Sequence, residues 1–299
     1  MIFEKRPVAR ATALIVLSAC GFGSLSTLTL LITRAGLPLL PAMVWRYFIA
    51  AVVLLAVARP AIFARPPSRN RAVQLMLIGG CGQAVITYFS LLAIDYLPVG
   101  PLGFLFYTYP AWVALFAAVT GREELTLVRF IALSVAMAGI TVMVGTPFSA
   151  SLSPVGVMLA LGTAVLYALY LPALHKLQEG LDPFVASFYL VSGVFTSFLI
   201  AGLITGTLES PGSLSIWGLV LMLSLVGTVL AFVSLIAGLT VLGPIRTSII
   251  ATVEPFFTAM LGVLLLGEAL TVTMLLGGTL IAGAVLLLQW AGRTRAEIG

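Results

Sequence analysis

Ten long apolar stretches, separated by short polar turns, run through this chain from one end to the other. Each is about 20 residues long, the length that an α-helix needs to cross the ~30 Å hydrocarbon core of a membrane. The runs are continuous, whereas the strands of a transmembrane β-barrel alternate polar and apolar residues. The chain is 61% hydrophobic and 8% charged, so it also differs from a soluble domain, in which about a quarter of the residues carry charge. The sequence therefore predicts an all-α polytopic membrane protein with ten transmembrane helices, at 11–33, 39–58, 72–94, 98–119, 127–146, 154–175, 183–206, 215–240, 243–266 and 270–291.

Two of these helices contain related, proline-broken stretches, Tyr107–Thr126 and Thr252–Thr271. Aligned without a gap at an offset of 145 positions, the stretches place Pro110 on Pro255. Internal repeats of this kind in a membrane protein are typical of secondary transporters.

The repeat predicts two domains, residues 1–148 and residues 149–299, with five spans in each. Because five is an odd number of crossings, the second repeat must lie inverted in the membrane relative to the first. Inverted repeats place a substrate site near the midplane and exchange access to it by rocking.

Basic residues predict the orientation. With the N-terminus inside, the outer loops contain only Arg34, and Arg46 lies within a span. Because Lys and Arg favour cytoplasmic loops, both termini are predicted to be cytoplasmic. The net charge of +5 then reflects these loops, with no nucleic-acid partner. The inside ends collect Lys5, Arg6, Arg10, Arg59, Arg65, Arg69, Arg71, Arg122, Arg129, Lys176, Arg246, Arg293 and Arg295.

Enzyme chemistry finds little support in the sequence. Cys20 and Cys81 both lie in apolar runs and form neither a disulfide framework nor a metal site. An intramembrane hydrolase would need an Asp pair, a Ser–His pair or a His-rich metal set, and the single His175 lies near a predicted membrane interface. A lipid carrier is an alternative, and its cavity would open sideways to the bilayer.

The pattern resembles a known family. The two five-span halves, each with a fourth span that ends in Gly-x-Glu-x-Leu-Thr or close to it, resemble the EamA-type ten-helix branch of the drug/metabolite transporter superfamily. Arg122 stands where the second copy has Gly267, and Arg46 also looks like that branch's pattern. Tyr107-Thr-Tyr-Pro110 resembles the Tyr-x-aromatic-Pro of the YddG-like aromatic amino-acid exporters. The resemblance implies amino-acid export through a central cavity made by both halves, with no cofactor.

Pro110 and Pro255 are candidate hinge residues. Each lacks a backbone donor and clashes with the carbonyl four residues earlier, at Phe106 and Ala251. A freed carbonyl must find a hydroxyl, a water or a substrate ammonium. The alternative is a kink without a function, because proline is common in membrane helices.

Glu254 and Arg46 are the charged candidates for substrate binding. Glu254 lies deep in a span, where a lone charge costs several kcal/mol and normally faces a cavity or a partner. It could be protonated, could meet a substrate ammonium, could pair with Arg46, or could make only a structural hydrogen bond. The guanidinium of Arg46 could hold a substrate carboxylate, or its stem could extend to the outer interface.

An aromatic set at matched depths is predicted to line the cavity, because aromatic rings suit apolar and aromatic cargo. Tyr107, Tyr109 and Tyr167 are the strongest candidates, and Gln83 and Thr252 could add polar contacts. The complete set is Phe22, Tyr88, Tyr107, Tyr109, Trp112, Tyr167 and Tyr170.

Small residues predict tight helix packing in spans five and ten. Ser134 and Ala138, and Gly278 and Ala282, make faces of the small-xxx-small type, which favour close packing against another helix or in a homodimer.

Together these features predict a secondary transporter that moves amino acids, aromatic or broader neutral, across an inner (plasma) membrane and works as an exporter. The alternatives are a lipid or nucleotide-sugar type carrier and multidrug efflux.

Overall fold

The computed structural model describes residues 5–94, 96–97, 99–121, 125–144, 153–267 and 269–298. Every regular element in these ranges is helical. Nine helical stretches in the described chain are long and apolar enough to span a membrane, and one more apolar helix is shorter. The predicted all-α, multi-pass class is thus confirmed. The predicted repeat boundary after residue 148 lies outside the described residues, as do Arg122 and the side chains of Lys5, Arg6, Arg293 and Arg295.

Thirteen α-helices and two π-helical segments make up the described chain. In order they are α1 (Lys5–Arg34), α2 (Leu39–Ala64), α3 (Arg69–Leu77), π1 (Ile78–Gln83), α4 (Ala84–Ile94), α5 (Val99–Phe106), α6 (Tyr109–Val119), α7 (Leu127–Val144), α8 (Pro154–Gln178), α9 (Pro183–Thr205), α10 (Leu214–Ser224), π2 (Leu225–Leu230), α11 (Ala231–Ala251), α12 (Glu254–Leu266) and α13 (Val272–Ile298).

Short polar residues set several helix ends. The carboxylate of Asp182 accepts a hydrogen bond from the backbone N–H of Phe184 at 2.9 Å, which caps α9. Ser213 caps α10 in the same way, through the N–H of Ile216. These caps satisfy backbone donors that have no partner inside the helix.

A break at Gly243 separates the eighth and ninth spans inside the apolar stretch Leu214–Ala251. Gly243 has φ 73° and ψ 170°, a conformation that residues with a Cβ rarely adopt. Pro244 follows, and it has no N–H to donate to a preceding turn. The ninth span therefore begins where the sequence predicts, and the nine long stretches together with the shorter α12 make ten spans.

The fourth and ninth spans are each interrupted once near the middle. The turn Tyr107–Thr108 joins α5 to α6, and the turn Thr252–Val253 joins α11 to α12. Pro110 and Pro255 lie in the first turn of the helix that follows, where a missing N–H removes no helical hydrogen bond. The predicted kinks are confirmed, and the hinge motion stays a prediction.

The third and eighth spans contain the π segments, which the sequence does not predict. Each segment accepts a hydrogen bond from a side chain of another helix. The Ser197 hydroxyl on α9 donates to the carbonyl of Gly80 in π1 at 3.0 Å. Arg46 on α2 donates from Nε to the Thr228 hydroxyl at 2.7 Å and from Nη2 to the carbonyl of Gly227 at 3.2 Å, both in π2. A π segment disturbs the helical hydrogen-bond ladder, so these donors meet carbonyl and hydroxyl groups that the segment presents.

Glycine lets α9 lie directly against the third span. A Cβ at Gly79 would overlap the carbonyl oxygen of Leu190, and a Cβ at Gly193 would overlap that of Met76. Only glycine permits this approach of two backbones, as in other membrane helix pairs.

Helices α7 and α13 pack closely against each other through glycine. A Cβ at Gly139 would lie 2.8 Å from the Gly277 carbonyl oxygen, and one at Gly277 would lie 2.5 Å from that of Gly139. Gly278 instead faces the ring of Phe256. The tight pairing of spans five and ten is therefore within one chain, and the homodimer stays a prediction that would use the exposed residues Ser134, Ala138 and Ala282.

Large apolar side chains cover the outside of the bundle. Examples from different helices are Phe63, Val119, Ile204 and Leu214, all well exposed. Such a surface suits lipid rather than water, and it fits the multi-pass membrane assignment.

Candidate functional site

The break in the fourth span gathers tyrosine rings from two helices. Tyr107 lies in the break itself, Tyr109 begins α6, and Tyr167 extends from α8. The Tyr109 and Tyr167 ring centroids are 4.7 Å apart in an edge-to-face arrangement, and those of Tyr107 and Tyr109 are 6.5 Å apart. Phe106 contacts all three, with centroid distances of 5.3 to 5.8 Å. Edge-to-face pairs of this kind hold one another in place.

Tyr170 extends the group by one helical turn of α8. Its ring stacks on Tyr167 at a centroid distance of 5.7 Å and an interplanar angle of 27°. We call Tyr107, Tyr109, Tyr167 and Tyr170 the tyrosine cluster. The Tyr170 hydroxyl is buried, with the residue 4% exposed, and it has no hydrogen-bond partner among the described residues. A Cβ at Gly82 would lie 3.3 Å from the Tyr170 ring, so the π1 backbone forms one wall here.

Glu254 brings a carboxylate to the cluster from the other broken span. The carboxylate lies within hydrogen-bonding reach of the Tyr107 hydroxyl. Glu254 is the first residue of α12, where the helix dipole favours a negative charge. The break of the ninth span therefore places its one acidic side chain against the break of the fourth.

Tyr109 makes a second connection between the two broken spans. Its hydroxyl lies 3.5 Å from the carbonyl oxygen of Ser248 on α11, a long hydrogen bond. Tyr109 and Ser248 are both buried. The site is thus assembled from the two broken spans that the repeated sequence singles out, together with α8.

Comparison with known proteins bears on this geometry. The model of the EamA-like transporter family matches the chain twice, over residues 10–145 and 154–290. This chain belongs to the EamA-like transporter family. The two matched segments also agree with the two-repeat organisation.

Two further similarities are informative at a coarser level. The chain is 25% identical over 232 residues to a protein named "Uncharacterized transporter YcbK" from Bacillus subtilis (strain 168), covering 71% of this chain and 72% of that protein. A solved crystal structure has a TM-score of 0.78 and 19% identity, covering 96% of this chain and 98% of the other. At that identity the structural similarity shows the fold alone. The family and the fold make this protein a multi-pass membrane transporter.

Two predicted site residues of the transporter lie apart from the cluster. Tyr88 is 60% exposed, and its ring contacts Phe89. Phe22 on α1 packs edge-to-face on Phe232, with ring centroids 5.1 Å apart. The structure therefore does not bring either ring into contact with the tyrosine cluster, and a substrate role for each stays a prediction.

Arg46 does not pair with Glu254. The residue is 4% exposed, and its guanidinium carbon lies 4.6 Å from the centre of the Tyr47 ring in addition to its bonds to π2. All of these contacts are with neutral groups. The arginine thus holds π2 against α2 in this structure.

The remaining polar candidates lie beside the breaks. Thr252 is fully buried in the break of the ninth span, and its hydroxyl donates to the Ile249 carbonyl at 2.6 Å. Gln83 ends π1, one residue after the glycine that faces the Tyr170 ring. Both lie next to elements of the cluster, and contact with a substrate remains a prediction.

Phe106 is a site residue that sequence reasoning missed as a side chain. The sequence draws attention only to its backbone carbonyl, four residues before Pro110. Its ring lies among the tyrosines because the turn at Tyr107–Thr108 ends α5 at that position. Proximity to Pro110 is the signal that could have found it.

The chemical groups at the site suit binding rather than bond-making. A carboxylate beside a cluster of aromatic rings attracts cations, and the ring faces add to this attraction because they carry partial negative charge. Within the described residues, no group of three or more His, Cys, Asp or Glu side chains is placed to hold a metal ion.

Proposed function

We propose that this transporter carries amino acids, aromatic or more broadly neutral, across the inner (plasma) membrane, and that it acts as an exporter. The observation that carries the proposal is the contact between Glu254 and the tyrosine cluster at the breaks of the fourth and ninth spans. Transporter substrate sites form typically at broken helices near the midplane, between inverted repeats.

Each part of the site has a role in the proposal. Glu254 attracts the substrate ammonium, and the rings of Tyr107, Tyr109 and Tyr167 pack against the substrate side chain. Thr252 and Gln83 add polar contacts. Pro110 and Pro255 mark where the two broken spans bend as access alternates between the two sides, with both termini in the cytoplasm.

A phosphorylated or nucleotide-sugar substrate fits the site less well. A phosphate dianion would require two or more cationic donors. Arg46 already donates to Thr228 and Gly227, and the cluster itself presents a carboxylate. Electrostatic repulsion between Glu254 and a phosphate would oppose such a substrate.

Counterflow in proteoliposomes tests the proposal. Vesicles loaded with unlabelled phenylalanine are diluted into trace labelled phenylalanine, and protein-free vesicles provide the background. We expect labelled uptake that other neutral amino acids inhibit. No uptake by folded protein would refute amino-acid transport, and the same assay with nucleosides, drugs or lipids would then identify the rival class.

The variant Glu254→Gln tests the site within the same assay. It removes the negative charge while keeping the shape, so we expect counterflow to fall at least about tenfold, the usual effect of losing a charged hydrogen bond. Glu209→Gln is the matched control, because Glu209 lies exposed on a loop. Equal counterflow in both variants would remove Glu254 from the mechanism.

A further inference from the structure

The site offers a negatively charged group to a substrate more readily than a positively charged one. On the acidic side, Glu254 lies beside the tyrosine cluster, within hydrogen-bonding reach of the Tyr107 hydroxyl. On the basic side, Arg246 lies near the start of the ninth span, at the end predicted to be cytoplasmic, and Arg46 uses both Nε and Nη2 within π2. A zwitterionic amino acid would therefore find a partner for its ammonium, but this arginine would have to leave π2 to reach its carboxylate.

Arg46 is held firmly in that arrangement. Its Nη1 lies 3.6 Å from the Met43 sulfur, and its guanidinium stacks over the Tyr47 ring, which in turn stacks on Phe198 at 5.6 Å. Freeing the guanidinium would leave the Gly227 carbonyl without this donor in a buried place, which is costly. The arginine is thus part of the scaffold rather than a carboxylate receptor.

The cluster also has an unused polar group. The Tyr170 hydroxyl is buried and has no partner in the described part of the chain. Buried hydroxyls are nearly always hydrogen-bonded, so an orphan one on a ring stacked against Tyr167 marks a place for a bound polar group. Tyr170 stacks on Tyr167, and Glu254 lies beside Tyr107, so the orphan hydroxyl and the carboxylate both belong to the surroundings of the tyrosine cluster.

We propose that the site recognises the ammonium group of its cargo and not the carboxylate, so that arylalkylamines, which carry a single positive charge, are substrates as well. The inference rests on the proposed function for the location of the site. A primary ammonium paired with the Glu254 carboxylate makes a neutral complex, which low-dielectric surroundings favour over a complex that buries an unpaired carboxylate. The tyrosine rings add cation–π attraction to the same ammonium.

Binding to the purified protein separates the two parts of an amino acid. Isothermal titration calorimetry in detergent is carried out with 2-phenylethylamine, with 3-phenylpropionate and with phenylalanine. These share the phenyl ring and carry the ammonium alone, the carboxylate alone, or both. We expect 2-phenylethylamine to bind at least as tightly as phenylalanine, and 3-phenylpropionate to show no binding at tenfold higher concentration.

The outcomes distinguish this inference from the proposed function. If 2-phenylethylamine does not bind, or if 3-phenylpropionate binds comparably, ammonium recognition is overturned whether or not phenylalanine is exchanged. If the amine binds but phenylalanine shows no counterflow, ammonium recognition stands and amino-acid transport fails.

Two variants locate the binding. Glu254→Gln should weaken 2-phenylethylamine binding at least about tenfold, and Glu209→Gln should leave it unchanged. If Glu254→Gln misfolds, Tyr170→Phe provides the second measurement, with a smaller loss of several-fold expected from one lost hydrogen bond. Unchanged amine binding in a folded Glu254→Gln or Tyr170→Phe protein would place the amine elsewhere.

Discussion

At the scale of single residues, Tyr170 joins stability to function. Its buried hydroxyl has no partner among the described residues, and an unsatisfied buried polar group costs about 1–3 kcal/mol. Tyr170→Phe should therefore raise the unfolding free energy by about 1 kcal/mol while weakening substrate binding. Thermal unfolding in detergent measures the first effect, and Tyr96→Phe, at an exposed turn position, is the matched control. A lower melting temperature in Tyr170→Phe would show that the hydroxyl has a stabilising partner.

Removing the guanidinium of Arg46 should lower the unfolding free energy, in contrast to removing the hydroxyl of Tyr170. Arg46→Met keeps the length and apolar stem of the side chain but removes the donors to Thr228 and Gly227. Hydrogen bonds to a charged group contribute about 1.5–3 kcal/mol each, so the variant should unfold at a clearly lower temperature.

The Arg46→Lys variant provides the comparison, because lysine keeps the charge but lacks the planar fork that serves two acceptors. It should be intermediate in stability. If both variants keep the wild-type melting temperature but lose transport, Arg46 binds substrate instead of supporting π2.

The site residues were predictable to different degrees. Pro110 and Pro255 mark where two spans break, so Tyr107, Tyr109 and Glu254 could each be placed next to a break from the repeat. The contact between Glu254 and Tyr107 was not predicted, because it depends on how the two broken spans meet. The role of Arg46 could not be predicted. Its partners Gly227 and Thr228 lie in a π segment, and the sequence of that segment, LVGTVL, resembles that of an ordinary apolar helix.

At the scale of helices, glycine sets the distance between α9 and the third span. Gly193→Ala would drive its Cβ into the Met76 carbonyl oxygen, and a backbone atom cannot move aside as a flexible side chain can. We expect this variant to lose folded yield or to melt well below the wild type in size-exclusion and thermal assays.

Gly218→Ala is the matched helical control. Nothing lies within 4 Å of a Cβ built at Gly218, and alanine favours helix over glycine by about 1 kcal/mol. This variant should keep its folded yield. Equal behaviour of the two variants would mean that α9 and α3 are not in backbone contact.

The helices themselves were largely predictable, but their irregularities were not. Ten apolar runs predict ten spans, and Gly243-Pro244 marks the turn between the eighth and ninth. The π segments interrupt the predicted helices 72–94 and 215–240, and neither segment contains a proline that would have indicated an irregularity. Their cause is tertiary, since each is stabilised by a donor from a distant part of the chain.

At the scale of the whole molecule, orientation is still a prediction. The basic residues favour cytoplasmic termini, because lysine and arginine are retained on the inner side during insertion. In a background without Cys20 and Cys81, a cysteine at Ala35 should react with an impermeant maleimide in intact cells. A cysteine at Asn70 should react only after permeabilisation. The reverse labelling pattern would invert the assignment of inside and outside.

The π segments limit where the third and eighth spans can lose a residue. A π segment holds one residue more than an α-helix of the same height, and one residue corresponds to a rotation of about 100° around the axis. Deleting a single residue from Ile78–Gln83 would restore a regular ladder, but it would turn one half of the third span relative to the other. Gly80 and Gly193 would then no longer face each other across the contact with α9. The extra residue therefore fixes the relative rotation of the two halves of the third span. A deletion there can be tolerated only if the surface of α9 that packs against π1 changes as well.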